Sequence, residues 1–212
     1  MCSGHKRDYL FKFVSPETRS HIKLDDEAAY SVTDQYTADR MTRDIMRFVD
    51  VNAVVCDATA CIGGNTHSFA RAFRQVVAIE QNPTRFEYLK HNMSVLQIKN
   101  VQCICGDALE EVPWHLAGTG KSARRPYSVI FIDPPWGGPD YKEHERLSLS
   151  LGDQSLAEVC KRWAPLTSYI ALKTPINFDE YAFRRDTADV LDLVLKNHRL
   201  RKVLFYIFEC KA

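Results

Sequence analysis

The chain has 212 residues, 45% hydrophobic and 26% charged, with a formal net charge of +1. Nine glycines and nine prolines are too few for a fibrous or disordered chain, and the length suits one globular domain burying roughly 70% of its unfolded surface. The charge balance excludes a strong overall field for a polynucleotide, although basic clusters stand at 5–7 (HKR), 121–125 (KSARR) and 199–202 (RLRK).

The opening MCSGHKRDYLFKF lacks the apolar core of a leader peptide, and no run approaches 18 apolar residues. Neither secretion nor a membrane span is expected. The first periodic element is a helix over 37–49, with Met41, Ile45, Phe48 and Val49 on one face. Short apolar runs then recur: AVVCDA (53–58), VVAIE (76–80), VQCICGD (101–107), SVIFID (128–133), SYIALKT (168–174), ADVLDLVL (188–195) and VLFYIFEC (203–210). Runs of this length and branching suit strands buried on both faces of a parallel sheet. Helical patterns lie between them at 66–73, 84–96 and 155–163, the second opened by Pro83 and the last ended by Pro165. The alternation predicts an α/β, Rossmann-like sheet of seven mostly parallel strands with helices on both faces. The last two runs are joined by KNHRLRK, which leaves no room for a crossover helix, so they must form an antiparallel hairpin. The least regular parts are 1–36, 113–127 and 137–153.

Seven cysteines, at 2, 56, 61, 103, 105, 160 and 210, include no C-x-x-C pair, and several fall in apolar runs. Reduced, mostly buried thiols in an intracellular compartment are expected, with no metal site.

In such a sheet, ligands sit beyond the carboxyl ends of the strands. Three successive strands end there in acids: Asp57, Glu80 and Asp107. The first is followed by a small-residue turn, ATACIGGNT, where Thr59, Gly63, Gly64, Asn65 and Thr66 are candidate cofactor residues. Gln81 and Ala108 follow the other two acids and are candidates with them. Carboxylates suit ribose hydroxyls, adenine and a cationic sulfonium, and repel a pyrophosphate. That pattern favours S-adenosylmethionine over a dinucleotide, and no Walker motif is present.

The fourth strand ends in DPPW. An exocyclic amine on a base is a poor nucleophile, because its lone pair is delocalised into the ring. Acceptors that hold its two hydrogens turn the lone pair toward the methyl donor. Asp133, through its carboxylate, and Pro134, through a carbonyl on a backbone stiffened by proline, are the candidate catalytic groups. Trp136 offers a ring face for the base.

These residues resemble a family. DPPWGGPDY (133–141) is similar to the SPPWGGPDY stretch of trimethylguanosine synthases, class I methyltransferases that methylate guanine N2 of an m7G RNA cap. IKLDDEAAYSVT (22–33), DATACIGGNTHSFA (57–70), VVAIEQNP (76–83) and ICGDAL (104–109) resemble further family segments, so the likeness covers roughly 8–210. The resemblance implies that Trp136 stacks on the cationic base, with Pro135, Asp140, Tyr141 and Lys173 around the substrate. It implies that Ser31, Val32 and Thr33 border the cofactor pocket, with Glu80 on the ribose and Asp107 near the adenine. It also implies S-adenosylmethionine as cofactor, S-adenosylhomocysteine as product and capped RNA as partner. The chain is expected to act as a monomer, with 1–36 packing over the active site and 37–212 forming the methyltransferase domain.

The chain departs from the family pattern at three places. Asp133 replaces serine, Cys61 replaces a glycine of the cofactor loop, and TPIN (174–177) replaces LPRN, so Ile176 stands where an arginine would meet cap phosphates. Lys173 or the HKR cluster is the substitute expected for that arginine. The leading expectation is a cap guanine-N2 methyltransferase. An enzyme acting on exocyclic amines of internal RNA or DNA bases is the alternative that Asp133 favours. A non-catalytic RNA-binding subunit is a third reading, which the intact acids and DPPW oppose.

Overall fold

The computed structural model describes residues 3–117, 125–200 and 203–211. Its contacts divide the chain into two compact units, Met1–Glu111 and Val112–Ala212. Residues 121–124 and 201–202, from two of the basic clusters, lie outside the described residues.

The first unit opens with three short helices, α1 (Ser3–Leu10), α2 (Pro16–Ser20) and α3 (Asp26–Ser31). The expectation of an irregular start is therefore corrected. These helices lack a long apolar period, and α2 and α3 are instead fixed at their starts: Ser15 accepts a hydrogen bond from Thr18 N, and Asp25 accepts one from Ala28 N. Their apolar residues Leu10, Phe11, Ile22, Ala28 and Val32 bury against Ile62, with Tyr88, Val95 and Leu96 packed around them. A salt bridge of 2.6 Å from Arg85 to Glu27 joins the same two regions. The rest of the unit alternates as expected: α4 (Gln35–Ile45), β1 (Val54–Asp57), α5 (Gly64–Ala72), β2 (Gln75–Glu80), α6 (Pro83–Val95) and β3 (Val101–Cys105). Within it, β1 and β3 both pair with β2 in parallel. A further helix, α7 (Ala108–Ala117), follows. β1 and β2 are buried, whereas β3 is half-exposed along its length. The expectation of burial on both faces thus fails for β3, which ends the strand order β3-β2-β1.

The second unit contains β4 (Tyr127–Ile132), a two-residue hairpin of β5 (Ser150–Leu151) and β6 (Gln154–Ser155), then α8 (Leu156–Trp163), β7 (Thr167–Pro175), α9 (Glu180–Thr187), β8 (Leu191–Leu200) and β9 (Val203–Cys210). Residues 137–153 are more regular than expected, holding a 3-10 turn at Pro139–Glu143 as well as β5. β7 is parallel to β4 and antiparallel to β9, and β9 pairs antiparallel with β8. Among the described residues the main sheet has seven strands, of which the second unit supplies β4-β7-β9-β8 in that order. The mostly parallel sheet with its antiparallel C-terminal hairpin is as the sequence predicts. The hairpin differs in extent: β8 runs on to Leu200, so residues assigned to the connection lie in the strand. α7 and α9 were not legible as helices. α7 contains Pro113, and α9 is capped by Asp179 but is mostly polar.

Candidate active site

The candidate cofactor residues of the first unit are built on the turn between β1 and α5. Asp57 is fully buried, and its Oδ2 accepts a hydrogen bond from Thr66 Oγ1 at 2.6 Å. Gly64 begins α5 under the chain that links α3 to α4. A Cβ there would lie 2.5 Å from Val32 Cγ2 and 2.7 Å from the Thr33 carbonyl, so only glycine permits this approach. Asn65 Nδ2 donates to Thr33 Oγ1 at 3.0 Å. The structure therefore brings Val32, Thr33, Gly64 and Asn65 together. Asn65 Oδ1 is buried without a hydrogen-bond partner among the described residues. Ser31 and Gln81 are exposed, and Thr59 is half-buried.

Glu80, at the end of β2, is buried and heavily engaged. Its Oε2 accepts from Cys61 N at 3.0 Å and its Oε1 from Asn82 N at 2.8 Å, while Arg85 Nε stands 3.5 Å away. Arg85, absent from the sequence-based candidates, anchors this carboxylate. Its position one turn into α6, after the Asn82 cap, was the available signal. Cys61 adopts a left-handed backbone, φ 51°. Burial pushes its thiol up to about 12, and the Glu80 carboxylate adds to the rise. Asp107 is exposed and caps α7 by accepting from Leu109 N at 2.9 Å, with buried Ala108 behind it.

The substrate candidates of the second unit follow from strand register. Ile132 of β4 lies opposite Leu172 of β7. One residue further along both parallel strands, Asp133 comes abreast of Lys173. Lys173 Nζ donates to Asp133 Oδ2 at 2.5 Å, and both side chains are largely buried. Burial raises the Asp133 carboxyl above its ordinary value, and the neighbouring ammonium opposes that rise. Pro134 is buried and Pro135 exposed.

Trp136 is half-buried. Its ring meets Tyr141 edge-on, with centroids 5.1 Å apart, and Lys173 Nζ lies 5.4 Å from the ring centroid. Gly137 and Gly138 follow with φ of 85° and 90°, and no atom lies within 4 Å of a Cβ placed on either. The backbone turn, not lack of space, requires glycine there. Asp140 is exposed in the 3-10 turn. Asn177 holds this loop, its Nδ2 donating to the carbonyls of Tyr141 at 2.7 Å and His144 at 2.8 Å. It too was missed as a site residue, although it is the Asn of TPIN that the family pattern retains. Ile176 is exposed, and near the N-terminus Lys6 lies over the Tyr30 ring while Arg7 donates to the Ser20 carbonyl.

Comparison with known proteins assigns this architecture. A family model described as RNA cap guanine-N2 methyltransferase matches residues 52–206. The chain belongs to this family. It is 32% identical over 164 residues to the trimethylguanosine synthase of Schizosaccharomyces pombe, covering 74% of this chain and 64% of that protein. It is 28% identical over 199 residues to an uncharacterized protein of Acanthamoeba polyphaga mimivirus, covering 82% of this chain and 75% of that one. A solved structure from Porphyromonas gingivalis, assigned as a methyltransferase, superposes with a TM-score of 0.65 at 16% identity, over 98% of this chain and 54% of that one. That likeness shows the class I methyltransferase fold. Family and fold together make the protein a methyltransferase, and they imply S-adenosylmethionine as the methyl source.

Proposed function

We propose that this protein transfers methyl groups from S-adenosylmethionine to the exocyclic N2 of an m7G RNA cap, giving a 2,7-dimethyl or 2,2,7-trimethyl cap. The observation that carries this reading is the Trp136 loop. A tryptophan ring follows Asp133-Pro134-Pro135 directly, turns on two left-handed glycines and is steadied by Tyr141 and Asn177.

When bound, S-adenosylmethionine supplies an electrophilic methyl group on a sulfonium. The residues around the β1–α5 turn fit it, since Asp57, Glu80 and the unpartnered Asn65 Oδ1 are acceptors. In this reading Asn65 Oδ1 takes an N–H of the cofactor's amino-acid portion. Glu80 takes a ribose hydroxyl with what acceptor capacity Cys61, Asn82 and Arg85 leave it. Asp107 and Ala108 flank the adenine. Residues 1–36 close over this cofactor end through the Val32–Thr33 chain.

Asp133 and the Pro134 carbonyl each accept one hydrogen of the N2 amine, which turns its lone pair out of conjugation. Trp136 stacks on the guanine, and the positive charge of an N7-methylated base suits an indole face. The N2 proton leaves to Asp133 or to water. The partner is capped RNA, and the chain works as a monomer. A second reading, transfer to exocyclic amines of internal bases, draws on Asp133 standing where the cap enzymes carry serine.

A methyl-transfer assay on m7GTP, GTP, unmethylated cap and adenine-containing RNA, read by product mass, tests the choice. Transfer to m7G substrates alone is expected. Transfer to internal bases alone would replace this reading with the second.

A further inference from the structure

Lys173 has no part in the proposed transfer, yet it stands at its centre. It is 6% exposed, an unusual place for an ammonium, and its Nζ pairs with Asp133 Oδ2 at 2.5 Å. The same Nζ lies 5.4 Å from the centroid of the Trp136 ring. A lysine that merely balanced a buried carboxylate would have no need of the indole. One that met a phosphate would have to give up its bond to Asp133 Oδ2.

A cation over an aromatic ring engages the attraction that the ring offers to positive charge. A second cation brought to that ring also meets the first as a like charge, in surroundings where water screens poorly. This matters because 7-methylguanine is cationic and guanine is not. Their N2 edges are alike and their stacking areas differ by one methyl. The net charge beside the ring therefore separates them. With Asp133 ionised and hydrogen-bonded to Lys173, the pair presents no net charge, and a cationic base is admitted.

We propose that Asp133 and Lys173 form a specificity-determining pair, in which the carboxylate cancels the ammonium beside Trp136 and so sets the preference for a cationic over a neutral guanine. The proposal rests on the cap reading above and names a determinant of its substrate choice. It also gives the Ser-to-Asp departure a rationale: with a lysine at 173, a serine at 133 would leave the ammonium uncompensated.

The test is the ratio of dissociation constants, GTP over m7GTP, measured by calorimetry on the full chain. Both ligands carry the same triphosphate, so the ratio isolates the base. Asp133→Ser should lower the ratio about tenfold and Lys173→Met should raise it about tenfold, the size of a partly desolvated cation–π term. The double variant should return to within about twofold of wild type. Thermal melting and S-adenosylhomocysteine binding verify that each variant is folded. Should Asp133→Ser fail to fold with its buried ammonium unpaired, Lys173→Met and the double variant still decide. Single variants that shift the ratio in the same direction, or not at all, overturn the pair. A wild-type ratio near one with the opposite shifts intact would remove the cap reading and leave the electrostatic one.

Discussion

Cys61 gives its backbone N–H to the Glu80 carboxylate at 3.0 Å from a left-handed conformation, φ 51°. The residue that the family pattern makes a glycine is thus a cysteine held in a glycine's backbone. A Cβ in this region costs about 1–2 kcal/mol. The chain accepts that strain where it aims a donor at the acid closing β2.

Replacing Cys61 by glycine should therefore change stability little. Relief of the strain is offset by the loss of the thiol's packing against the helical N-terminal cluster and by added freedom in the unfolded chain, about 1 kcal/mol. Denaturant melts should place Cys61→Gly within about 1 kcal/mol of wild type, and Cys61→Val, with a branched Cβ in left-handed space, at least about 2 kcal/mol lower. A large loss in Cys61→Gly would mean that packing of the thiol, not its backbone, governs this position.

The parts of the molecule that were legible in the sequence are those with a local periodic signal. Short apolar runs located the strands, and the acids at 57, 80 and 107 marked their ends. What stayed hidden depends on contacts far apart in the chain. Lys173 reads as a cation for substrate phosphates until strand register sets it beside Asp133, 40 residues earlier. Asn177 is only the last residue of TPIN until its amide meets the Tyr141 and His144 carbonyls. The N-terminal helices are too short to show a period, and their end caps give only a weak signal.

His67 supplies a pH dependence. It is buried in α5, and burial, with Arg71 second, lowers its imidazole from 6.5 to about 4, while Asp39 opposes the shift. A depressed folded-state value means that the unfolded chain binds the proton first as pH falls. The stability contribution is fully present above about pH 6.5 and is lost between there and pH 4, by at most about 3 kcal/mol. Denaturant midpoints measured from pH 7.5 to 4.5 should fall in wild type and fall less in His67→Gln. Parallel curves would remove His67 as the source.

Asn177 should act on substrate through the loop it holds. Asn177→Ala removes two donors from the Tyr141 and His144 carbonyls, a cost of about 1–3 kcal/mol in loop order. The KM for capped RNA should rise about tenfold or more while S-adenosylhomocysteine affinity stays within about twofold. A loss confined to kcat would instead place Asn177 with the amine-orienting groups.

Trp136→Ala tests the stacking surface directly. Base–aromatic stacking contributes about 1–3 kcal/mol, so m7GTP affinity should fall roughly 5- to 150-fold and cap methylation should become undetectable. Cofactor binding, which the proposed site assigns to the β1–α5 turn, should persist when followed by calorimetry. Unchanged methylation would remove Trp136 from the site.

Asp133 carries the orientation argument, and its replacement separates holding the base from turning the amine. Asp133→Ala takes away one of the two proposed acceptors for the N2 hydrogens and also removes the carboxylate that pairs with Lys173. The first loss acts on turnover, because an amine conjugated with the ring is a poor nucleophile. The expected fall in kcat is about 10²- to 10⁴-fold. The second acts on affinity and stability, since breaking a buried ion pair costs about 3–5 kcal/mol of folding energy. The Ala variant should therefore melt lower and lose kcat far more than it loses affinity for m7GTP, where the change should stay within about tenfold. Asp133→Asn keeps a neutral acceptor but not the charge, so it should recover part of the turnover and little of the cap preference. If both variants lose affinity alone and turn over bound cap at the wild-type rate, Asp133 is a binding group and the amine is oriented by something else.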